Sequence, residues 1–185
     1  MKCALILGAI DTSLRALEED HFHELSSSPT TAPGKFSNRV FVVHGHDMKV
    51  ESEIEVFLHE IGLEPIVLHR QPDEGQTIIE KFEKHSDVGY AFILLTPDEI
   101  AYLTKDEAVS DDLRLKERRA RPNVIFEFGF FVGKLGRSRV CALHTGDVTL
   151  PSDLSGLLYK SFNKSIDEVA YSIIKELKSI GYVIK

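Results

Sequence analysis

The sequence predicts an α/β domain, a doubly wound parallel sheet of the flavodoxin-like type, preceded by a helical extension. Three observations carry this. Runs of apolar and β-branched residues alternate with stretches of helical spacing from residue 38 onward, the pattern of successive βαβ units. The run VGYAFILLT (88–96) is apolar along its whole length, as a central strand covered on both faces must be. Polar residues gather where the strand-like runs end, at the edge where such sheets bind ligands.

The elements follow in chain order. Residues 1–25 have the spacing of an amphipathic helix, and SSSPTTAPG (26–34) is a linker by composition. Residues 1–37 are thus expected as an extension and 38–185 as a single domain. RVFVVHG (39–45) is a strand ending in glycine. VESEIEVFLHEIG (50–62) is a helix with apolar residues at Val50, Ile54, Phe57, Leu58 and Ile61, closed by Gly62. EPIVLHR (64–70) is a second strand, and TIIEKFEKHSD (77–87) a helix that Thr77 can cap. VGYAFILLT is the third strand. KDEAVSDDLRLKERRA (105–120) is charged throughout and reads as a loop or exposed helix. NVIFEFGFFVGKLG (123–136) is a helix with Asn123 as its cap and Gly136 as its end. Gly129 and Gly133, four residues apart, are expected to leave a smooth face for close packing on the sheet. RVCALHT (139–145) is a fourth strand, PSDLSGLLYKSF (151–162) is irregular, and SIDEVAYSIIKELKSIG (165–181) is a final amphipathic helix.

Composition narrows the function. With 43% hydrophobic and 28% charged residues, the 185-residue chain can bury a substantial core and stay soluble. A formal charge of −7 argues against nucleic acid as a partner, because neutralising phosphates needs a basic face. Cys3 and Cys141 match no metal or redox spacing, and Cys141 lies in an apolar run, as a reduced core thiol would. No apolar run approaches the roughly 20 residues that span a bilayer, and the acidic LEEDH after the short run CALILGAI argues against a signal peptide. The expected setting is cytoplasmic, with no membrane partner.

One residue raises a question. Glu127 sits among Phe126, Phe128, Phe130 and Phe131, and a carboxylate is not buried among phenyl rings without compensation. Its position near a helix N-terminus is worth only about 0.3–1 kcal/mol. It must reach solvent at the strand-end cleft, pair with Arg119 or Arg121, or meet a ligand. The other strand ends offer His44, Gly45, His46 and Asp47; His69 and Arg70; Thr96, Asp98 and Glu99; and His144 and Thr145. HGHD with His69 and His144 suggests a metal set, but no recognised ligand spacing recurs, so no metal is expected. GxGxxG and GxxxxGK[ST] are absent. PDEGQT is a turn by composition, and KERRAR (116–121) reads as a solvated face.

Several segments together resemble one family. FVVHGHD, GLEPIVLHRQPDEGQTIIEKFEKHSDVGYAFILLTPDE, RARPNVIFEFGFFVGKLGRSRVCALH and LPSDLSGLLY are similar, in order and without large gaps, to bacterial TIR-like proteins described as nucleotide-binding. Related TIR domains serve in anti-phage defence, some fused to STING-type cyclic-dinucleotide sensors, and hydrolyse NAD⁺ to nicotinamide and ADP-ribose or its cyclised form. The resemblance implies Glu127 as the catalytic carboxylate of an NAD⁺ glycohydrolase, with NAD⁺ as substrate and no cofactor. By position, His46, Asp47 and Arg70 would hold the ribose or phosphates, Asp98 would close the cleft floor, and Phe131 or Tyr90 would stack on nicotinamide. Gln71 to Thr77 corresponds to the loop through which TIR domains self-associate. The implied partners are further copies of the chain and a cyclic-nucleotide sensor. Three other readings stand beside this one. They are a nucleoside deoxyribosyltransferase-like enzyme, a non-catalytic assembly or nucleotide-binding module, and a metal hydrolase.

Overall fold

A computed structural model of the chain describes residues 37–72, 74–151 and 156–185; the helix expected over 1–25 and its linker lie outside them. Five parallel strands form the sheet: β1 (Arg39–Val43), β2 (Glu64–Val67), β3 (Tyr90–Leu95), β6 (Val140–Thr145) and β7 (Leu158–Phe162), in the order β2-β1-β3-β6-β7. Four helices connect or flank them: α1 (Met48–Glu60), α2 (Ile78–His85), α3 (Pro122–Leu135) and α4 (Asp167–Ser179). A two-stranded antiparallel ribbon, β4 (Glu99–Ala101) with β5 (Glu117–Arg119), stands between β3 and α3.

Alternation along each strand sorts the core into two layers. Val40 and Val42 of β1 and Phe92 and Leu94 of β3 pack with Ile54 and Leu58 of α1 and Ile173 and Leu177 of α4. Phe41 and Val43, with Ala91, Ile93 and Leu95, face the other way, onto Phe82 of α2 and Val124, Phe128 and Phe131 of α3. All six residues of β3 are buried, and β1 and β6 flank it, as expected for the central strand. Cys141 of β6 is a buried thiol in the first layer.

Helix ends follow local chemistry. The Asp47 side chain accepts hydrogen bonds from the backbone N–H groups of Lys49 and Val50 and starts α1. Thr77 and Glu80 form a reciprocal capping box on α2, satisfying two otherwise orphaned donors. At α3 the expected Asn123 cap is not used: Pro122 occupies the first helical position and Arg121 precedes it without a side-chain cap bond. Proline loses nothing there, because the first helical N–H has no intrahelical partner. Gly136 ends α3 at φ +79°, in the left-handed region open to glycine.

Other expectations change as well. Leu158–Phe162, read as irregular, is edge strand β7, paired in parallel with β6. The charged stretch 105–120, read as a loop or exposed helix, is mostly loop but ends in strand β5; Arg114 organises the loop between β4 and β5 by donating to the carbonyls of Asp106, Glu107 and Val109 and stacking on Tyr102. Gly129 and Gly133 face open space, not the sheet; a Cβ at either would touch nothing. Phe131 and Tyr90 are core residues. Phe131 is 0% exposed and packs on Phe41, Phe82 and Phe130, and Tyr90 lies against Phe92 and Tyr182 in the opposite layer. Neither ring is available to a ligand. Phe131→Ala should therefore cost about 3–5 kcal/mol of stability, read as a fall in the denaturant midpoint, a loss that a ring at a ligand site would not show.

Candidate active site

At the C-terminal edge of the sheet, one carboxylate ties the cleft together. Asp98, just beyond β3, accepts hydrogen bonds from the backbone N–H of His46 (2.9 Å) and the Thr96 hydroxyl (3.0 Å) through Oδ1. Its Oδ2 accepts from the Arg121 backbone N–H at 3.4 Å. The loop after β1, the end of β3 and the start of α3 are thus joined. The β1 loop approaches so closely that a Cβ built on Gly45 would lie 1.8 Å from Asp98 Oδ2, so position 45 has no room for a side chain. Asp98 holds these segments by internal bonds and lines neither of the two cavities beside Glu127.

Glu127 lies in the second turn of α3, three residues after Val124 and four before Phe131, both buried against the sheet. That spacing puts it on the flank of the buried stripe, leaning toward the helix N-terminus and the cleft. It borders two cavities. The first, about 360 Å³, is lined by His44, His69, Gln76, Lys81, Arg121 and Asn123 with Glu127. The second, about 220 Å³, is an apolar groove between α2 and α3 formed by Ile79, Phe82, Phe126 and Phe130. Phe126, 65% exposed, offers its ring there.

Among the described residues, the Glu127 carboxylate makes no hydrogen bond or ion pair; Arg121 acts on it only through its field. Burial pushes its pKa up to about 7, against a smaller lowering by Arg121. The expected pairing with Arg119 is absent, because Arg119 binds Glu117 on its own strand. Of the KERRAR cations, Arg118 pairs with Asp147 at 2.6 Å, and Arg121 is the one that reaches the cleft.

The remaining expected ligand-binding residues are otherwise engaged. Asp47 caps α1. Arg70 bridges Glu51 (3.2 Å) and Glu55 (3.0 Å). His46 is exposed, with its ring 3.4 Å from the Arg121 guanidinium. None of the three lines either cavity. His44 and His69 line the polar one instead, because β1 and β2 are neighbours in the sheet. His144 ends β6, two strands from β1, or roughly 9–10 Å. Its ring bonds its own Thr145 carbonyl.

Sequence reasoning missed Glu51. It is 0% exposed, with Oε2 3.1 Å from His44 Nδ1, and Oε1 3.4 Å from His69 Nε2. The available signal was its spacing, since it lies between Val50 and Ile54 on the apolar edge of α1. Burial depresses the His44 pKa despite the Glu51 charge. Burial likewise raises Glu55 against the pull of Arg70.

The raised pKa of Glu127 has a consequence for stability. The folded chain holds this proton more tightly than the unfolded chain, whose carboxyl titrates near 4.5. The stabilisation is therefore complete below that value and is lost as pH rises through about 7. Glu127→Gln should be more stable than wild type above neutrality by on the order of 1–3 kcal/mol, discounted for partial exposure. The difference should vanish near pH 4, about the intrinsic carboxylate range. Chemical denaturation of both proteins across that range tests it.

With this geometry in place, the relatives can be compared. Residues 39–164 match the family model described as CAP12/Pycsar effector protein, TIR domain. The chain is 43% identical over 144 residues to the YuaY protein of Escherichia coli (strain K12), covering 74% of this chain and 46% of that protein. It is 39% identical over 142 residues to protein tirC of Dictyostelium discoideum, covering 73% and 69%. Over 104 residues it is 35% identical to the Pycsar effector protein PaPycTIR of Pseudomonas aeruginosa, covering 54% and 31%. The match thus spans less than half of YuaY and about a third of PaPycTIR. Five parallel strands in the order β2-β1-β3-β6-β7, with helices on both faces and the family pattern running from β1 past β7, place this chain in the TIR-domain family of the CAP12/Pycsar effectors.

Proposed function

We propose that the chain is an NAD⁺ glycohydrolase of the TIR class, with Glu127 as its catalytic carboxylate. The observation that carries this reading is the Glu127 carboxylate, unpaired among the described residues and set in the wall shared by a polar cleft and an apolar groove. A dinucleotide joined to an aromatic base has the same two halves. The nicotinamide ring would occupy the groove beside Phe126 and Phe130. The ribose and pyrophosphate would lie toward Arg121, Asn123 and Gln76, where donors to anionic oxygen converge. Arg121 supplies a fixed charge for phosphate.

In the reaction the bond from ribose C1′ to the pyridinium nitrogen breaks, and its electron pair leaves with neutral nicotinamide. Positive charge develops on the ribose as an oxocarbenium ion. The ionised Glu127 beside it stabilises that charge, in a site dry enough for a single charge to count. Water adds to C1′ and releases a proton, giving ADP-ribose. No strong acid is needed at the leaving group, so one carboxylate is sufficient.

Self-association through the loop 71–77 and control by a cyclic-nucleotide sensor complete the proposal, with anti-phage defence in the cytoplasm as the setting. The names of the family and of PaPycTIR, which call them effector proteins, support an effector role. The absence, among the described residues, of a helix long and apolar enough to cross a membrane agrees with that setting. The loop carries Glu74 at φ +47° beside Gly75 at φ +72°, a sharp turn that presents its tip outward.

The test follows nicotinamide release from NAD⁺ by concentrated protein. Glu127→Gln should lower kcat/KM at least about 10²-fold. Wild-type kcat/KM should rise as pH passes about 7, where Glu127 ionises. Specific activity should also increase with protein concentration, because assembly precedes turnover. Full activity in Glu127→Gln would overturn the assignment.

A further inference from the structure

The side chains of His44, Glu51 and His69 converge beside the polar cleft. His44 Nδ1 faces the Gly45 carbonyl at 2.9 Å and Glu51 Oε2 at 3.1 Å. His44 Nε2 faces His69 Nδ1 at 3.0 Å. His69 Nε2 faces Glu51 Oε1 at 3.4 Å. One hydrogen on each ring cannot fill all of these contacts. If His44 donates to Gly45, then His69 Nε2 meets the carboxylate lone pair to lone pair. If His44 donates to His69 instead, its Nδ1 meets two oxygens with no hydrogen between. Arg70 sits against both Glu51 and Glu55. Glu51 Oε2 is buried and receives no hydrogen bond from His44 despite the 3.1 Å distance; its side-chain neighbour is the Glu55 carboxyl, whose pKa burial raises.

We propose that His44, Glu51 and His69 bind a divalent transition-metal ion of the zinc type. Two imidazole nitrogens and one carboxylate oxygen form a borderline donor set with three protein ligands and an open position. One ligand atom from each residue lies within 4.8 Å of the others. Ligand atoms around a tetrahedral ion stand about 3.3–3.6 Å apart for bonds near 2.0–2.2 Å. Closing that gap takes about 1 Å of rotation, which His69 can supply, being 44% exposed on a short turn after β2. Arg70 holds Glu51 Oε1 and leaves Oε2 to the ion, the usual orienting role of an outer partner. The open position faces the cleft that His44 and His69 line, where it would take water or a phosphate oxygen. The sequence offers His44 and His69 as part of a metal set but not Glu51, because the ligands come from β1, α1 and the turn after β2 at no motif spacing.

The test is calorimetric titration of the chelator-stripped, tag-free full chain with zinc chloride, and with cobalt(II) chloride followed by visible absorption. Wild type should bind one ion per chain. His69→Ala should weaken binding at least tenfold, and His44→Ala should do the same independently. Glu127→Gln should bind like wild type. Circular dichroism confirms that each variant is folded. No stoichiometric binding by wild type would overturn the proposal. Equal binding by wild type and both histidine variants would place the ion elsewhere and overturn it too.

Discussion

The carboxylate of Asp98 joins three segments remote in sequence: the loop after β1, the end of β3 and the entry to α3. A parallel sheet brings its strand ends to one edge, but it does not fix the loops that leave them. Here an acceptor with two oxygens does so, using backbone donors that would otherwise need water. Arg121 and Glu127 owe their places to this anchor, since α3 begins where Asp98 holds it. The loop carrying His44 and His46 is held on the opposite side of the same carboxylate.

On that framework, two glutamates meet opposite fates. Glu51 is fully buried, yet it is surrounded by an arginine and two histidines. Glu127 keeps some access to solvent but has no partner among the described residues, only the field of Arg121. Burial without pairing is unfavourable to folding, and such sites persist where a shifted carboxyl is useful. The apolar surroundings that raise its pKa also form the groove beside it, so the cost and the binding surface share one origin.

Much of the fold was legible because the sheet is buried on both faces. Strands such as YAFILL cannot be confused with solvent-exposed segments. The ribbon β4–β5 and the edge strand β7 were not legible. Glu117, Arg118 and Arg119 carry no strand signature and pair only because Glu99–Ala101 lies opposite. Lys160 and Ser161 obscure β7, whose register comes from β6. In the site, Glu127 stood out as a charge in an apolar run. Glu51 did not, because VESEIEVF reads as an ordinary amphipathic helix until its packing is known. Phe131 was misplaced for the converse reason: the aromatic run does not say which rings face the sheet, and helical phase sends Phe128 and Phe131 inward and leaves Phe126 exposed.

The contact between Gly45 and Asp98 leaves space for a hydrogen atom and nothing larger. Among homologous chains, then, neither position is free to drift by itself. A larger residue at 45 would have to be matched by a shorter one at 98, and the shorter residue would release the start of α3. The two sites should covary or stay fixed together, which makes this pair a sensitive marker of whether a distant homologue has kept the same cleft.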